Sequence, residues 1–312
     1  MGLRTGTHSR CNTVPTLNQS HLPVTAKRSR MLRIREMRVE DIPFAIRLTK
    51  PEGWGIPAAD FRRILNLDSH GSFVATEGRR RIGLATSTHY GRKVAWIGNV
   101  VVDRKYRDRH VGRMLVEHAV NYLSRGSVKH IALYSFEENY RFYRNLGFVQ
   151  GARFVRMRRE PVKRNRTFTI EISKSLTLSS LLAMDRKAFG ADRSRLITAV
   201  LSEGSAWYFG CIARSRGFYV LVKKYRDMSE IGPWISFGLG SRELDLLLQF
   251  IIGRNGGKPI EIGCPLANTQ ALRAMKKSRF RVLNEGRVMF YKRRARLGQP
   301  RAIIAQGFLD KG

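Results

Sequence analysis

The stretch from Trp96 to Leu123, WIGNVVVDRKYRDRHVGRMLVEHAVNYL, constrains the chain more than any other. An apolar strand ends at Val102, an arginine-rich loop follows, and an amphipathic helix opens near Val111 with apolar positions Met114, Leu115, Val116, Ala119, Val120 and Leu123. Strand, tight loop and helix N-terminus in that order point backbone N–H groups and the positive end of a helix dipole at the loop, which suits an anion. Arg104, Lys105, Arg107, Arg109 and Arg113 add charge of the same sign. A diphosphate is the natural ligand. A basic turn of no special function is the plain alternative.

Around this stretch the signals are regular. Leu32 to Met37 alternates as a strand, and Val39 to Pro43 opens a helix running to about Leu48. The turn cluster Pro51-Glu52-Gly53-Trp54-Gly55 leads to a second short helix ending near Leu67. Ser72 to Glu77, Arg81 to His89 and Lys93 to Val102 read as three successive strands. After the motif helix come a strand at His130 to Ser135, a helix at about Asn139 to Asn145 and a Gly147-Phe148 turn.

The second half repeats this order in diverged form. Ile231-Gly232-Pro233-Trp234-Ile235-Ser236 aligns with Ile97 to Val102, and NTQALRAMKKSRF (Asn268 to Phe280) aligns with Asn139 to Phe148, setting Met275 opposite Tyr143. Leu178 to Phe189 and Glu243 to Ile252 read as helices, and Trp207 to Ala213 and Gly217 to Val222 as strands. At 312 residues the chain has room for two domains, each burying its own core. The expected division is a basic disordered tail at 1–30, a first domain at 31–160, a linker at 161–168 that overlaps the basic, Pro-containing stretch Arg158 to Thr167, and a diverged copy at 169–312. Met31 is an expected alternative start of translation.

The loop and its setting resemble motif A of the GNAT superfamily, the acyl-CoA-dependent N-acyltransferases, whose signature R/Q-x-x-G-x-G/A reads here Arg107, Asp108, Arg109, His110, Val111, Gly112. His110 stands where the signature has its first glycine. EGWG at Glu52 to Gly55, WIGNVVV before the loop, DRKAFGADR at Asp185 to Arg193 and IGPW at Ile231 to Trp234 together look like the tandem GNAT proteins, from about Ile34 to the C-terminus. The resemblance implies an α+β (mixed α/β) fold of two tandem GNAT-like domains. In each, a mixed β-sheet flanked by helices splays between its fourth and fifth strands to admit pantetheine.

It also implies an acyltransferase that moves an acetyl group from acetyl-CoA, as cosubstrate, directly to a primary amine of a small molecule or protein. The cofactor side would be the strand residues Val100, Val101 and Val102, the loop Arg107, Asp108, Arg109, His110, Val111 and Gly112, and Arg113. Tyr143, five residues before Phe148, matches the family tyrosine that protonates the departing thiolate, with an aromatic core plug as its plainer role. The usual helix asparagine falls at Phe136, so Asn139 is a substitute that could equally cap the helix. Glu52, Trp54, Asn99 and His89 are the acceptor-side candidates, and no general base is legible. In the second copy Phe237 to Arg242 replaces the basic loop and Met275 cannot donate a proton, so that copy is expected to be catalytically silent.

Charge frames the competing class. The formal net charge of +34, from 58 Lys and Arg against 24 Asp and Glu, asks for a polyanionic neighbour such as nucleic acid or a ribosome. A non-catalytic binding protein on a degenerate GNAT scaffold is therefore the alternative function. The same charge favours an anionic acceptor, or an amine on a nucleic-acid-bound protein, over a polyamine, a preference that a local acidic cleft containing Glu52 or Asp60 would reverse. Cys11, Cys211 and Cys264 lack metal spacing and the seven histidines are scattered, so neither a metal nor a disulfide framework is expected. No apolar run is long enough to span a bilayer. A reduced, cytoplasmic setting is expected, and the oligomeric state is not legible.

Overall fold

The computed structural model describes residues 31–161, 176–213, 216–308 and 311. The expected tail at 1–30 and all but the first residue of the expected linker at 161–168 lie outside them. The first segment runs β1 (Leu32–Glu36), α1 (Ile42–Thr49), α2 (Ala58–Leu67), β2 (Phe73–Glu77), β3 (Arg80–Tyr90), β4 (Val94–Val102), α3 (Val111–Arg125), β5 (His130–Phe136), α4 (Tyr140–Arg144) and β6 (Phe148–Arg159). The second runs α5 (Leu178–Phe189), α6 (Ser194–Ser202), β7 (Ala206–Ala213), β8 (Arg216–Lys224), β9 (Ser229–Phe237), α7 (Ser241–Arg254), β10 (Ile260–Pro265), α8 (Thr269–Lys277), β11 (Arg281–Tyr291) and β12 (Ile303–Ala305). The order β-α-α-β-β-β-α-β-α-β of the first segment is the one its sequence signals. In the second, α6, β10, β11 and β12 are not legible: α6 and β10 are short, β11 is interrupted by Asn284, Glu285 and Gly286, and β12 is only three residues long.

All the strands join one sheet in the order β1-β2-β3-β4-β5-β11-β6-β10-β9-β8-β7, with β12 added beside β9. The segments have exchanged their final long strands. β11 pairs antiparallel with β5 (Phe290 opposite Ala132, Gly286 opposite Phe136), while β6 pairs antiparallel with β10 (Arg159 opposite Ile260, Phe154 opposite Pro265). β6 and β11 pair with each other at the centre, where Phe154 lies over Gly286. A Cβ on Gly286 would stand 2.4 Å from the Phe154 ring, so this approach needs glycine.

This exchange corrects the expectation that each half buries its own core. One apolar cluster unites Tyr90, Val94 and Trp96 of the first segment with Leu181, Phe189, Ile197 and Tyr219 of the second. The reading of Arg158 as the start of a linker is also corrected. Arg158 ends inside β6 opposite Glu261, with Nη1 3.3 Å from Glu261 Oε1, and buried Arg159 donates to the Ser278 carbonyl at 3.1 Å. Arginines in a strand are held by neighbours remote in sequence, which a local charge count does not show.

Separate clusters cover the outer parts of the sheet. Val111, Leu115, Val116, Ala119, Val120 and Leu123 of α3 pack on Phe73, Ala85 and Ile97, so the helical stripe in the sequence is the buried face except at Met114, which lies one position off that face and is exposed. On the opposite side α1 and α2 pack Ile42, Phe61 and Ile64 against Val74, Leu84 and Val101. Among the described residues no helix is long and apolar enough to cross a membrane.

Candidate active site

The site begins where β4 and β5 part. Their parallel pairing spans only Val94 with His130, Ala95 with Ile131 and Trp96 with Ala132. Beyond Trp96, β4 continues to Val102 with no pairing to β5, which leaves backbone groups on that edge open. The burial pattern changes at the same place, from continuous through Ile97 to alternating beyond it. A bulge opposite Ala85 adds to the turn away: Leu84 pairs with Val101 and Thr86 with Gly98. Asn99 sits in this bulge at φ 51°, with its side-chain amide donating to Thr86 Oγ1 at 3.0 Å.

The gap opens into a cleft of about 1040 Å³ that reaches from the loop after β4 to the second segment. Its walls bring together most of the residues singled out in the sequence: Glu52, Trp54, Asn99, Val100, Val101, Val102, Arg107, Asp108, His110, Val111, Gly112, Arg113, Asn139 and Tyr143. Two are left out. Arg109 turns away to pair with Glu77 and lies 5.1 Å over the Tyr106 ring. His89 stands 40% exposed on β3, 3.9 Å from Asp68, and takes no part in the cleft.

In the loop, Asp108 and His110 both take the left-handed conformation, at φ 62° and 58°. His110 is the N-cap of α3, so the chain makes the turn that glycine favours and still aims the first N–H groups of a 15-residue helix outward. The side chains of residues 107–110 are exposed. A Cβ at Gly112 would meet Phe142 and Val102 only at 3.5 and 3.7 Å, so alanine fits there. His110→Gly is expected to preserve or raise stability by up to about 1 kcal/mol, because it removes the left-handed strain of a side chain. His110→Val, β-branched at positive φ, is expected to lower the Tm. Paired thermal melts check both, and a His110→Val protein as stable as wild type would contradict the strained turn.

Arg107 donates from Nη2 to Glu52 Oε1 at 2.6 Å and from Nε to the Val102 carbonyl at 3.3 Å. The EGWG cluster is thereby fastened over the loop, with Gly53 and Gly55 both at positive φ. Tyr143 is half-buried between Phe142 and Phe148, with ring centroids 5.0 and 5.9 Å away. Burial pushes its phenol above the usual tyrosine range, which holds the proton on the oxygen. Asn139 precedes α4 without capping it, its amide 3.5 Å from Glu138 Oε1.

The far wall was not legible in the sequence, because the second segment supplies it. Tyr225, Glu230 and Glu261 reach the cleft from β9, β10 and the turn before them, and Asp60 reaches it from α2. Lys223 Nζ donates to Asp60 Oδ2 at 2.5 Å and to the Tyr225 hydroxyl at 2.8 Å, and that hydroxyl donates to Glu230 Oε2 at 3.2 Å. A polar chain therefore crosses from one segment to the other.

The corresponding place in the second segment is built differently. β9 and β10 pair in parallel only from Ser229–Ile260 to Ile231–Ile262 and then part, as β4 and β5 do. Here the chain's own C-terminal segment enters the gap: β12 pairs with β9, and the Gln306 amide donates to the Gly263 carbonyl at 2.8 Å. Gly307 permits this entry, since a Cβ on it would lie 2.3 Å from the Gly232 backbone. At the start of α7 the carboxylate of Glu243 already accepts from the Gly240 amide at 2.6 Å, and Met275 is fully buried.

A splayed parallel strand pair, a tight loop at a helix N-terminus and a cleft running to a second segment leave open backbone groups and helix N–H groups beside one cavity. Residues 38–148 match the Acetyltransferase (GNAT) family and residues 181–303 match an Acetyltransferase (GNAT) domain. The chain belongs to the GNAT superfamily, as a tandem of two GNAT domains. A Pyrococcus horikoshii protein assigned to the acetyltransferases shares the fold with a TM-score of 0.71 at 21% identity, over 95% of this chain and 100% of that one. A GCN5-related N-acetyltransferase from Sphaerobacter thermophilus does so with a TM-score of 0.61 at 15% identity, over 86% and 98%. A histone acetyltransferase of Glycine max is 36% identical over 80 residues, 26% of this chain and 34% of that protein. The chain thus spans about a third of the length of that curated relative.

Proposed function

We propose that the protein is an N-acetyltransferase that takes acetyl-CoA as cosubstrate and passes the acetyl group directly to a primary amine within a ternary complex. The observation that carries this reading is the unpaired edge of β4 beyond Trp96, ending in a left-handed turn at the N-terminus of α3. Pantetheine would lie along Val100 to Val102, with backbone N–H groups polarising the thioester carbonyl. The pyrophosphate would rest on the loop from Arg107 to Gly112 with Arg113 beside it, and Asn139 would face the pantetheine from the other side. The amine nitrogen attacks the thioester carbon, the C–S bond breaks, and Tyr143 gives its proton to the thiolate while the amine loses one to solvent. Glu52, Trp54 and Asn99 form the near side of the acceptor entrance, and Tyr225 and Glu230 the far side. Catalysis belongs to the first domain, since β12 and Glu243 occupy the equivalent places in the second. A cytoplasmic setting accords with Cys211 and Cys264 being free thiols.

Titration calorimetry is expected to give one acetyl-CoA per chain. At about a hundredfold excess over Kd, binding should add roughly 2.7 kcal/mol to stability and raise the Tm by several degrees. Arg107→Ala should remove most of that shift. Two equivalents per chain, or a shift unchanged in Arg107→Ala, would overturn the assignment.

A further inference from the structure

Six basic residues gather at one end of the sheet. At the end of the sheet where β4 and β5 begin, three connections meet: the β3–β4 turn with Arg92 and Lys93, the α3–β5 turn with Lys129, and the segment after β11 with Lys292, Arg293 and Arg294. The geometry fixes them as neighbours. The Lys129 amide donates to the Arg92 carbonyl at 2.8 Å, Val94 pairs with His130, and β11 runs antiparallel to β5, reaching Phe290 opposite Ala132 just before Lys292.

All six side chains are exposed, and among the described residues none forms an ion pair. Arginines around the cleft are different: Arg107, Arg113, Arg156 and Arg158 each hold a carboxylate. His130, set among the patch residues, feels them: burial first, and then the charges of Arg293, Lys129 and Lys93, hold its imidazole below its ordinary pKa. Like charges left together without counterions are costly to the isolated protein unless a polyanion covers them.

We infer that this end of the sheet is a docking surface for the phosphate backbone of a nucleic acid. Fork-shaped guanidinium groups suit phosphate oxygens, and three separate connections supply a surface wide enough for several successive phosphates. A membrane is the weaker partner, because the patch carries no large exposed apolar side chain to insert; those that exist, such as Trp54, Met114, Leu246 and Leu283, lie elsewhere. The eight residue steps from Val94 to Val102 of β4 separate the patch from the motif loop by about 26 Å at roughly 3.3 Å per residue, so a bound nucleic acid leaves the cleft mouth open. Docking at one end and acyl transfer at the other are compatible, and the inference does not depend on the activity proposed above.

The test compares two full-length variants of equal net charge. In the first, Arg92, Lys93, Lys129 and Arg293 are replaced by Gln; in the second, Arg62, Arg195, Arg273 and Lys276, exposed elsewhere, are replaced by Gln. Binding to a labelled DNA duplex and a labelled single-stranded RNA is followed by anisotropy over a salt series, with melting curves confirming that both variants fold. The patch variant should bind about tenfold or more weakly, and on the duplex its log–log salt slope should shrink by about 0.9 for each phosphate it no longer neutralises. The second variant should stay close to wild type. Equal losses in both would overturn the inference in favour of diffuse charge. So would a wild-type protein that binds anionic phosphatidylserine vesicles and neither nucleic acid.

Discussion

Tyr143→Phe is expected to lower the rate of acetyl transfer by about 10²-fold or more while leaving acetyl-CoA affinity and Tm close to wild type. The ring packs between Phe142 and Phe148, and phenylalanine keeps those contacts. What is lost is one hydroxyl, held in its protonated form by burial. Burial makes this phenol a weaker acid, and the same burial raises the basicity of a thiolate released beside it, so donor and acceptor are shifted in the same direction. Because the pKa is raised, loss of the acid form lies beyond the ordinary tyrosine range. The alkaline side of the wild-type kcat profile should therefore stay flat to at least about pH 10. Steady-state kinetics, with calorimetry for acetyl-CoA, check this. Full activity in Tyr143→Phe would reduce the residue to an aromatic plug, and full activity there together with loss of activity in a Met275 variant of unchanged Tm would move catalysis to the second domain.

Asp60→Asn is expected to destabilise the fold by about 3–5 kcal/mol, a Tm loss on the order of 10 °C. Asp60 is 2% exposed. Arg63 Nη1 lies 2.8 Å and Lys223 Nζ 2.5 Å from its carboxylate, and Lys311 Nζ stands 3.9 Å away. Arg63 also reaches Glu203 of the second segment. Burial alone would raise the Asp60 pKa, but Lys311, Lys223 and Arg63 outweigh it and hold the group well below the usual carboxylate range. The sign follows from the lowered folded value: the stabilisation is complete above the unfolded pKa near 4 and falls away as pH drops below it. Wild type should lose stability below about pH 4 more steeply than Asp60→Asn. Combining Asp60→Asn with Lys223→Met should recover part of the loss, since the two sites share one network. A single variant within about 1 kcal/mol of wild type would show that the cluster contributes little.

The same cluster explains why Asp60 could not be assigned from sequence. On its helix it is an acid in the first turn, a common and unremarked position. Apart from Arg63, one turn on in the same helix, its partners lie on β8 and near the C-terminus, 163 residues away for Lys223, and proximity of that kind has no local signature. The same holds for the far wall of the cleft and for Arg158, whose charge signalled a linker and whose partner Glu261 proved to lie on the adjacent strand.

What the sequence determined by itself was the local grammar. The 3.6-residue apolar stripe of α3, the successive strands up to Val102 and the βα loop with its arginines could be read because side-chain periodicity follows backbone geometry within a few turns. The repeat of that order announced a second copy. Only the tertiary structure decided which strands are neighbours. β6 and β11 follow equivalent helices in the two segments, and their reciprocal exchange is set by cross-strand packing such as Phe154 over Gly286, which no window of residues contains. Tertiary structure also decided that the gap beside β4 stays open while the one beside β9 is closed by the chain's own last strand. It turned His110, an unfavourable residue in the motif, into a left-handed turn, because the packed ends of β4 and α3 fix the loop between them.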